Sequence, residues 1–247
     1  MKIVASIEAR MNSSRLPGKV LKKINKYTVL ELLVNRLKKA DKINDIVVAT
    51  TTNSLDDQIE EWCSKSNVAC FRGDEDDVLL RVVESHKEMG TDIIVEVAAD
   101  CPLVDPEVLD LGINTYLSHD VDVVTNCGNI LTWPMGIYVQ VFSYDLLENV
   151  EQNIKDLAIR EHVSLYFYEN VGIYKIINII APKRWEAPSY RFQLDYPEDL
   201  EFIRTVCKKL EPDYGIDFGI DEIMTLIKKN PDLLNINMNC IEKAARF

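Results

Sequence analysis

Several things are missing from this 247-residue sequence, and each absence excludes a class of function. No apolar run is long enough to span a bilayer, and the N-terminus lacks the architecture of a signal peptide, so a soluble cytoplasmic protein with no membrane partner is expected. Histidine is scarce: His86, His119 and His162 share no spacing that suggests a metal or catalytic cluster. The six cysteines form no CxxC pair, which argues against zinc and redox motifs and fits free thiols in a reducing compartment. None of the nine glycines builds a GxGxxG, a GxxxxGK[ST] or a GxSxG, so the dinucleotide, P-loop and serine-hydrolase readings lack their motifs. Positive charge is also in deficit, with 28 Lys and Arg against 40 Asp and Glu and a net charge of −12. A protein that gripped nucleic acid through a broad basic face would have the opposite balance, so no nucleic-acid partner is expected.

What is present is enough apolar material, 47% of residues, for one large α/β domain spanning 1–247. Strand-like and helix-like segments alternate through the first half. Strands are expected at 2–8, 46–51, 68–71 and 92–97, with helices at 20–39, 55–66 and 78–89 and another opened by Pro106. Such alternation implies crossover connections and a mostly parallel sheet flanked by helices. The second half is less regular. Strands are expected near 121–125, 136–141, 172–179 and 190–194, and helices near 144–150, 157–168, 197–209 and 218–229.

Residues 9–19, Ala-Arg-Met-Asn-Ser-Ser-Arg-Leu-Pro-Gly-Lys, place Arg10, Arg15 and Lys19 on a short loop directly behind the first strand. In so acidic a chain, that cluster reads either as a solvated turn or as a local anion site of the kind found between a strand and a helix. Asp100 and Asp195 each fall between a strand-like segment and a proline-initiated helix. Each is suited to capping the helix that follows, and the pair is equally suited to sharing a divalent cation with phosphate oxygens. Arg72 and Gly73 precede a run of acids and would approach a base or ribose, while the acids themselves suit a helix start.

These segments together resemble a known family. Arg10-Met11-Asn12-Ser13-Ser14-Arg15-Leu16-Pro17-Gly18-Lys19 is similar to the signature of the cytidylyltransferases that activate 3-deoxy-manno-octulosonate and N-acylneuraminate, above all of their relatives of the spore coat polysaccharide biosynthesis protein F type. The similarity continues in order through 71–79, 100–106, 160–163, 194–200 and 230–232. It implies a GT-A-like nucleotide-diphospho-sugar transferase fold. It also implies an Mg²⁺-dependent enzyme that transfers CMP from CTP to a sugar acid or related sugar, a sugar phosphate included, in surface glycan synthesis. By position, Arg10, Arg15, Lys19 and Asp100 would be catalytic. Ala9, Arg10, Met11, Asn12, Ser14, Arg15, Lys19, Arg72 and Gly73 would hold the nucleotide, and Asp100 with Asp195 the metal. Tyr138 and Gln140 stand where relatives carry acids and would face the acceptor. A homodimer is implied, with an arm around 120–168 and a C-terminal helical tail over 210–247. Two other readings compete: a GT-A glycosyltransferase that consumes a nucleotide sugar, and a CTP-binding regulator without turnover. The density of cations in the first loop separates the first of these from triphosphate chemistry.

Overall fold

Residues 1–242 are described by a computed structural model of the chain. Strand β1 (Ile3–Glu8) leads through the cationic loop to a single 3₁₀ turn at Lys19–Leu21, then to a small antiparallel hairpin of β2 (Lys23–Ile24) and β3 (Tyr27–Thr28), and only then to α1 (Val29–Leu37). The helix expected over 20–39 is therefore corrected to its second half. Two residues account for this. Asn25 adopts a φ of 52°, a left-handed conformation that Asn tolerates and a helix does not. Thr28 and Glu31 form a reciprocal capping box that sets the true start of α1.

The chain continues through β4 (Asp45–Thr51), α2 (Asp57–Ser66), β5 (Ala69–Gly73), α3 (Val78–Met89), β6 (Ile93–Ala98), α4 (Pro106–Ser118), β7 (Val123–Thr125) and β8 (Gln140–Ser143). It then forms α5 (Tyr144–Asn153), α6 (Leu157–Glu161), α7 (Leu165–Glu169), β9 (Ile176–Asn178), α8 (Pro197–Tyr214) and α9 (Ile220–Lys229). Seven strands make one sheet in the order β5-β4-β1-β6-β8-β7-β9. All pairings are parallel except those of β8, which runs against both β6 and β7. The reversal follows from its connection: β7 reaches β8 without a helical crossover, which only antiparallel neighbours permit.

Alternation along the strands divides the apolar residues between two faces. Ile3, Ala5 and Ile7 of β1 and Val95 and Val97 of β6 pack with α1, α4, α8 and α9. Ile94, Val123 and Phe142 pack instead with α3, α5, α6 and α7. The segment 120–168, expected as a dimerisation arm, thus places β7 and β8 within the sheet and its helices over the second core. The single helix expected at 157–168 is broken at His162, whose φ of −124° and ψ of 94° are extended. Arg160 is anchored to Asp77 and Glu151, and Ser164 donates to Gln140, so the two halves are held at different places.

The strand expected at 190–194 is reduced to one bridge, Arg191 with Met135, in which Met135 N donates to Tyr190 O at 2.9 Å and Phe192 N to Met135 O at 2.8 Å. Gly136 permits the approach: its φ is 91°, and a Cβ there would lie 2.7 Å from the Gln193 nitrogen. Leu194 N donates to Asp100 O at 2.8 Å, so this segment carries Asp195 to the edge where Asp100 lies. Helix α8 runs past the expected end to Tyr214, and the tail forms α9 and a 3₁₀ segment at Pro231–Ile236. The last part of the expected helical tail, 243–247, lies outside the described residues. Among the described residues no helix is long and apolar enough to cross a membrane.

Gly136→Ala is expected to lower stability by about 2–4 kcal/mol, combining left-handed strain with overpacking. A fall in the urea midpoint at constant slope would register it; an unmoved midpoint would show that these two segments do not pack so closely.

Candidate active site

The first loop is folded on itself rather than loose. Ala9 N donates to Ala49 O at 3.2 Å, and Met11 N to Asp56 Oδ1 at 2.6 Å. Asp56 is buried and also accepts from Thr51, which ties the loop's entry to the end of β4. Met11 O accepts from Ser13 N at 2.9 Å and from Gly18 N at 2.8 Å, closing the loop around buried Leu16. Gly18 sits at φ 68°, a left-handed position that suits glycine and turns the chain so that Lys19 points across the sheet edge.

At that edge the charges converge. Lys19 Nζ lies 2.9 Å from Asp100 Oδ2, 3.0 Å from Asp195 Oδ1 and 2.9 Å from Leu194 O. Arg15 Nη2 approaches Asp195 Oδ1 at 2.7 Å, and Arg191 Nη2 approaches Asp195 Oδ2 at 2.7 Å. Behind them, fully buried Asp199 accepts from Arg191 Nε at 3.1 Å, from Asp195 N at 2.9 Å, from Tyr196 N at 3.0 Å and from Asn237 Nδ2 at 2.9 Å. Burial by itself would push the Asp195 carboxyl up; Lys19, then Arg15 and Arg191, outweigh it and hold the group below the usual carboxylate range. Burial likewise opposes the charge on Lys19, but Asp100 and Asp195 raise its ammonium above the ordinary value.

The capping question is answered by other residues. Asp105 caps α4, accepting from Glu107 N at 2.8 Å, and Asp199 takes the amides that precede α8. Asp100 and Asp195 are left with their carboxylates directed at the cationic loop. Both line a cleft of about 1130 Å³ over the carboxyl ends of β1 and β6, the edge at which open α/β sheets bind ligands. Ala9, Arg10, Ser14, Arg15 and Lys19 line it from the loop, and Tyr138 and Gln140 from the start of β8 and the residues before it. Four expected residues do not. Met11 packs against the core and Asn12 is exposed. Arg72 is bound to Asp57, Glu60 and the carbonyls of Thr51 and Asn53. Gly73 faces Arg81, whose Cγ would lie 2.9 Å from a Cβ added there.

A cytidylyltransferase family profile matches residues 4–218 of this sequence. The chain belongs to the cytidylyltransferase family. It is 35% identical to the spore coat polysaccharide biosynthesis protein SpsF of Bacillus subtilis, over 93% of this chain and 95% of that protein. It is 32% identical to the 3-deoxy-manno-octulosonate cytidylyltransferase of Pelobacter propionicus, over 92% and 96%. The solved structure of a cytidylyltransferase from Leptospira borgpetersenii superposes with a TM-score of 0.88 at 31% identity, covering 99% of this chain and all of that one. The fold is thus the nucleotide-sugar transferase type, and the protein is a CTP-using nucleotidyltransferase.

Further residues support the cytidylyltransferase cleft from behind or line it. Arg191 and Asp199 flank Asp195 at four-residue spacing, a pattern visible in the sequence but separated by a helix boundary. Glu8 and Glu96 lie on the second face of the sheet beside Arg81, Ser164 and Tyr168. An acid inside the apolar run Ile93-Ile94-Val95-Glu96-Val97 was the available signal for Glu96. Burial pushes the Glu96 carboxyl up to about 7, and burial followed by repulsion from Glu96 pushes Glu8 well up. Gln140 Oε1 accepts from Ser164 Oγ at 2.7 Å and from the Tyr168 hydroxyl, which fixes the amide expected to face the acceptor.

Asp199→Ala is expected to cost about 3–5 kcal/mol, because it removes one of the two carboxylates that meet buried Arg191 and leaves Arg191 Nε, two backbone amides and Asn237 without their acceptor; a thermal or urea melt unchanged from the parent would refute that role. The folded protein holds the Glu96 proton more tightly than the unfolded chain does. Its contribution to stability is therefore full below the ordinary value of 4.5 and is lost as pH rises through about 7. Glu96→Gln should abolish this slope, gaining on the order of 1–3 kcal/mol over the parent at neutral to mildly alkaline pH relative to pH near 4. Parallel stability–pH curves for the two proteins would contradict the assignment.

Proposed function

We propose that this protein transfers CMP from CTP to a hydroxyl of a sugar acid or a closely related sugar, with a divalent cation, Mg²⁺, and release of pyrophosphate, to make an activated sugar for a surface glycan. The observation that carries the reading is the convergence of Asp100 Oδ2 and Asp195 Oδ1 on one point, now taken by the Lys19 ammonium at 2.9 and 3.0 Å. Two carboxylates that share one cation position are a suitable donor set for Mg²⁺, which completes its shell with phosphate oxygens and water. Among the described residues no group of three or more His, Cys, Asp or Glu gathers into a closed metal cage, consistent with a site that phosphate must complete. Asp100 and Asp195 would hold the metal, which would polarise the phosphate oxygens as a Lewis acid.

The chain's own residues supply the rest. Arg10 lines the cleft without an ion-pair partner among the described residues, so its charge is available to phosphate. Lys19 and Arg15 are held ready at the mouth by Asp195 and exchange that partner for the anionic triphosphate. The acceptor oxygen forms a bond to the α-phosphorus as the bond from that phosphorus to the bridging oxygen breaks; the hydroxyl proton passes to water, and the leaving group departs as pyrophosphate. Negative charge grows on the α-phosphate and the leaving oxygens, where these cations are already fixed, so little reorganisation accompanies the reaction. Arg72 acts through the loop at 51–56, which in turn anchors Met11, and is a positioning residue for the nucleotide. Names among the relatives, a spore coat polysaccharide protein and a 3-deoxy-manno-octulosonate enzyme, support a sugar acid or polysaccharide precursor as acceptor.

Pyrophosphate release should occur with CTP and not with ATP, GTP or UTP, and only when metal and acceptor are both present. Lys19→Ala and Asp100→Asn are each expected to reduce turnover by about 10²–10³ or more with the fold retained, as loss of one preorganised electrostatic contact does. Near-parental rates in folded variants would overturn the site. Gln140→Glu is expected to change acceptor preference, because a carboxylate only accepts where the amide also donates; an unchanged acceptor profile would remove Gln140 from the acceptor wall.

A further inference from the structure

Glu8 and Glu96 occupy diagonal positions on neighbouring parallel strands, since Ser6 pairs with Glu96 and Glu8 with Ala98, so their side chains share one face of the sheet. Both line the cleft. Neither forms an ion pair among the described residues. Glu8 accepts from Ser6 Oγ at 3.2 Å. Glu96 is 8% exposed, and its Oε2 is buried without any hydrogen-bond partner. The charged group nearest to compensate them, Arg81, attracts Glu8 from α3 but directs its guanidinium to the carbonyls of Asp74 and Glu75. Gln140 of β8, with Ser164 and Tyr168 at α7, brings an amide and two hydroxyls to the same place, and Cys127, Glu161 and His162 also line the cleft.

An unpartnered buried carboxylate oxygen on a side chain that lines a cleft is costly, and a second acid beside it compounds the cost. A neutral hydroxyl would bring one donor and leave the like charges uncompensated. An ammonium brings three donors and a positive charge, and charge-assisted bonds to carboxylate are roughly twice as strong as neutral ones. We propose that Glu8 and Glu96 form an acceptor subsite for a primary ammonium group, so that the enzyme activates an amino-bearing sugar acid in preference to its hydroxyl counterpart. This rests on the cytidylyltransferase reading above and adds the acceptor's distinguishing group to it.

The test uses matched 3-deoxy-octulosonate and 3-deoxy-nonulosonate probes, each prepared with a hydroxyl, a free amine or an N-acetyl group at the positions remote from the reacting centre. With CTP and Mg²⁺, kcat/KM for one free-amine probe should exceed that of its hydroxyl and N-acetyl partners by about 100-fold or more, the range in which a site built for a polar group rejects an analogue lacking it. Glu96→Gln should bring that ratio below about tenfold, chiefly by raising KM for the amine, with Glu8→Gln intermediate. Both replacements are near-isosteric, and a circular-dichroism melt checks that each remains folded. Preference for the hydroxyl or N-acetyl form, or a ratio that Glu96→Gln leaves unmoved, overturns the subsite. Calorimetric binding of the same probes to the protein without CTP reads the subsite directly. Absence of CTP turnover with every probe would therefore defeat the transferase reading while amine-selective binding still upheld the subsite. Binding of none of the amine probes would defeat the subsite alone.

Discussion

The arrangement of this active site depends on one buried carboxylate, Asp195. Almost wholly removed from solvent, it is met by Lys19, Arg15 and Arg191, and the last of these is itself neutralised by Asp199. An isolated charge in that position would be untenable. Three cations against two buried acids, with Asp100 as a third acid beside Lys19, make it tenable by balancing charge within the cluster. The same contacts join the loop behind β1, the segment before α8 and the end of β6, three parts of the chain far apart in sequence.

That network explains why several secondary-structure boundaries lie where they do. Lys19 must leave the loop at a fixed angle, which Gly18 and the 3₁₀ turn provide and a continuous helix from Val20 would not. The 190–194 segment need not be a full strand, because its task is to deliver Arg191 and Asp195, and a single bridge to Met135 beside Gly136 holds it. Asp105 and Asp199 take over the capping duties that Asp100 and Asp195 would otherwise have served.

The cleft is electrostatically divided. Its mouth, at the sheet edge, is a place for phosphate, with Arg10, Arg15 and Lys19 around two aspartates. Its inner part, on the second face of the sheet, carries Glu8 and Glu96 among hydroxyls, with burial pushing both carboxyls up. The break between α6 and α7 belongs to this inner part, since it brings Ser164 and Tyr168 against Gln140. In the proposed reading, nucleotide and acceptor chemistry fall on opposite sides of one sheet edge.

The sequence by itself determined the class of fold and the cluster of cations on the first loop. Alternating apolar segments with short polar connections admit little besides a mostly parallel sheet, and a local cluster such as 9–19 keeps its meaning wherever the chain folds, because its residues are neighbours already. Helix limits at 20–39 and 157–168 were not legible, since they are set by Asn25, by the Thr28–Glu31 box and by the anchoring of Arg160 to residues far along the chain. Only the tertiary structure decided that Arg72 is taken up by Asp57 and Glu60, that Arg191 and Asp199 support Asp195, and that Glu8 and Glu96 meet in one buried place. Charge and burial are properties of the whole fold: whether an acid caps a helix, pairs with an arginine or waits unpaired in a cleft depends on what the distant chain brings against it.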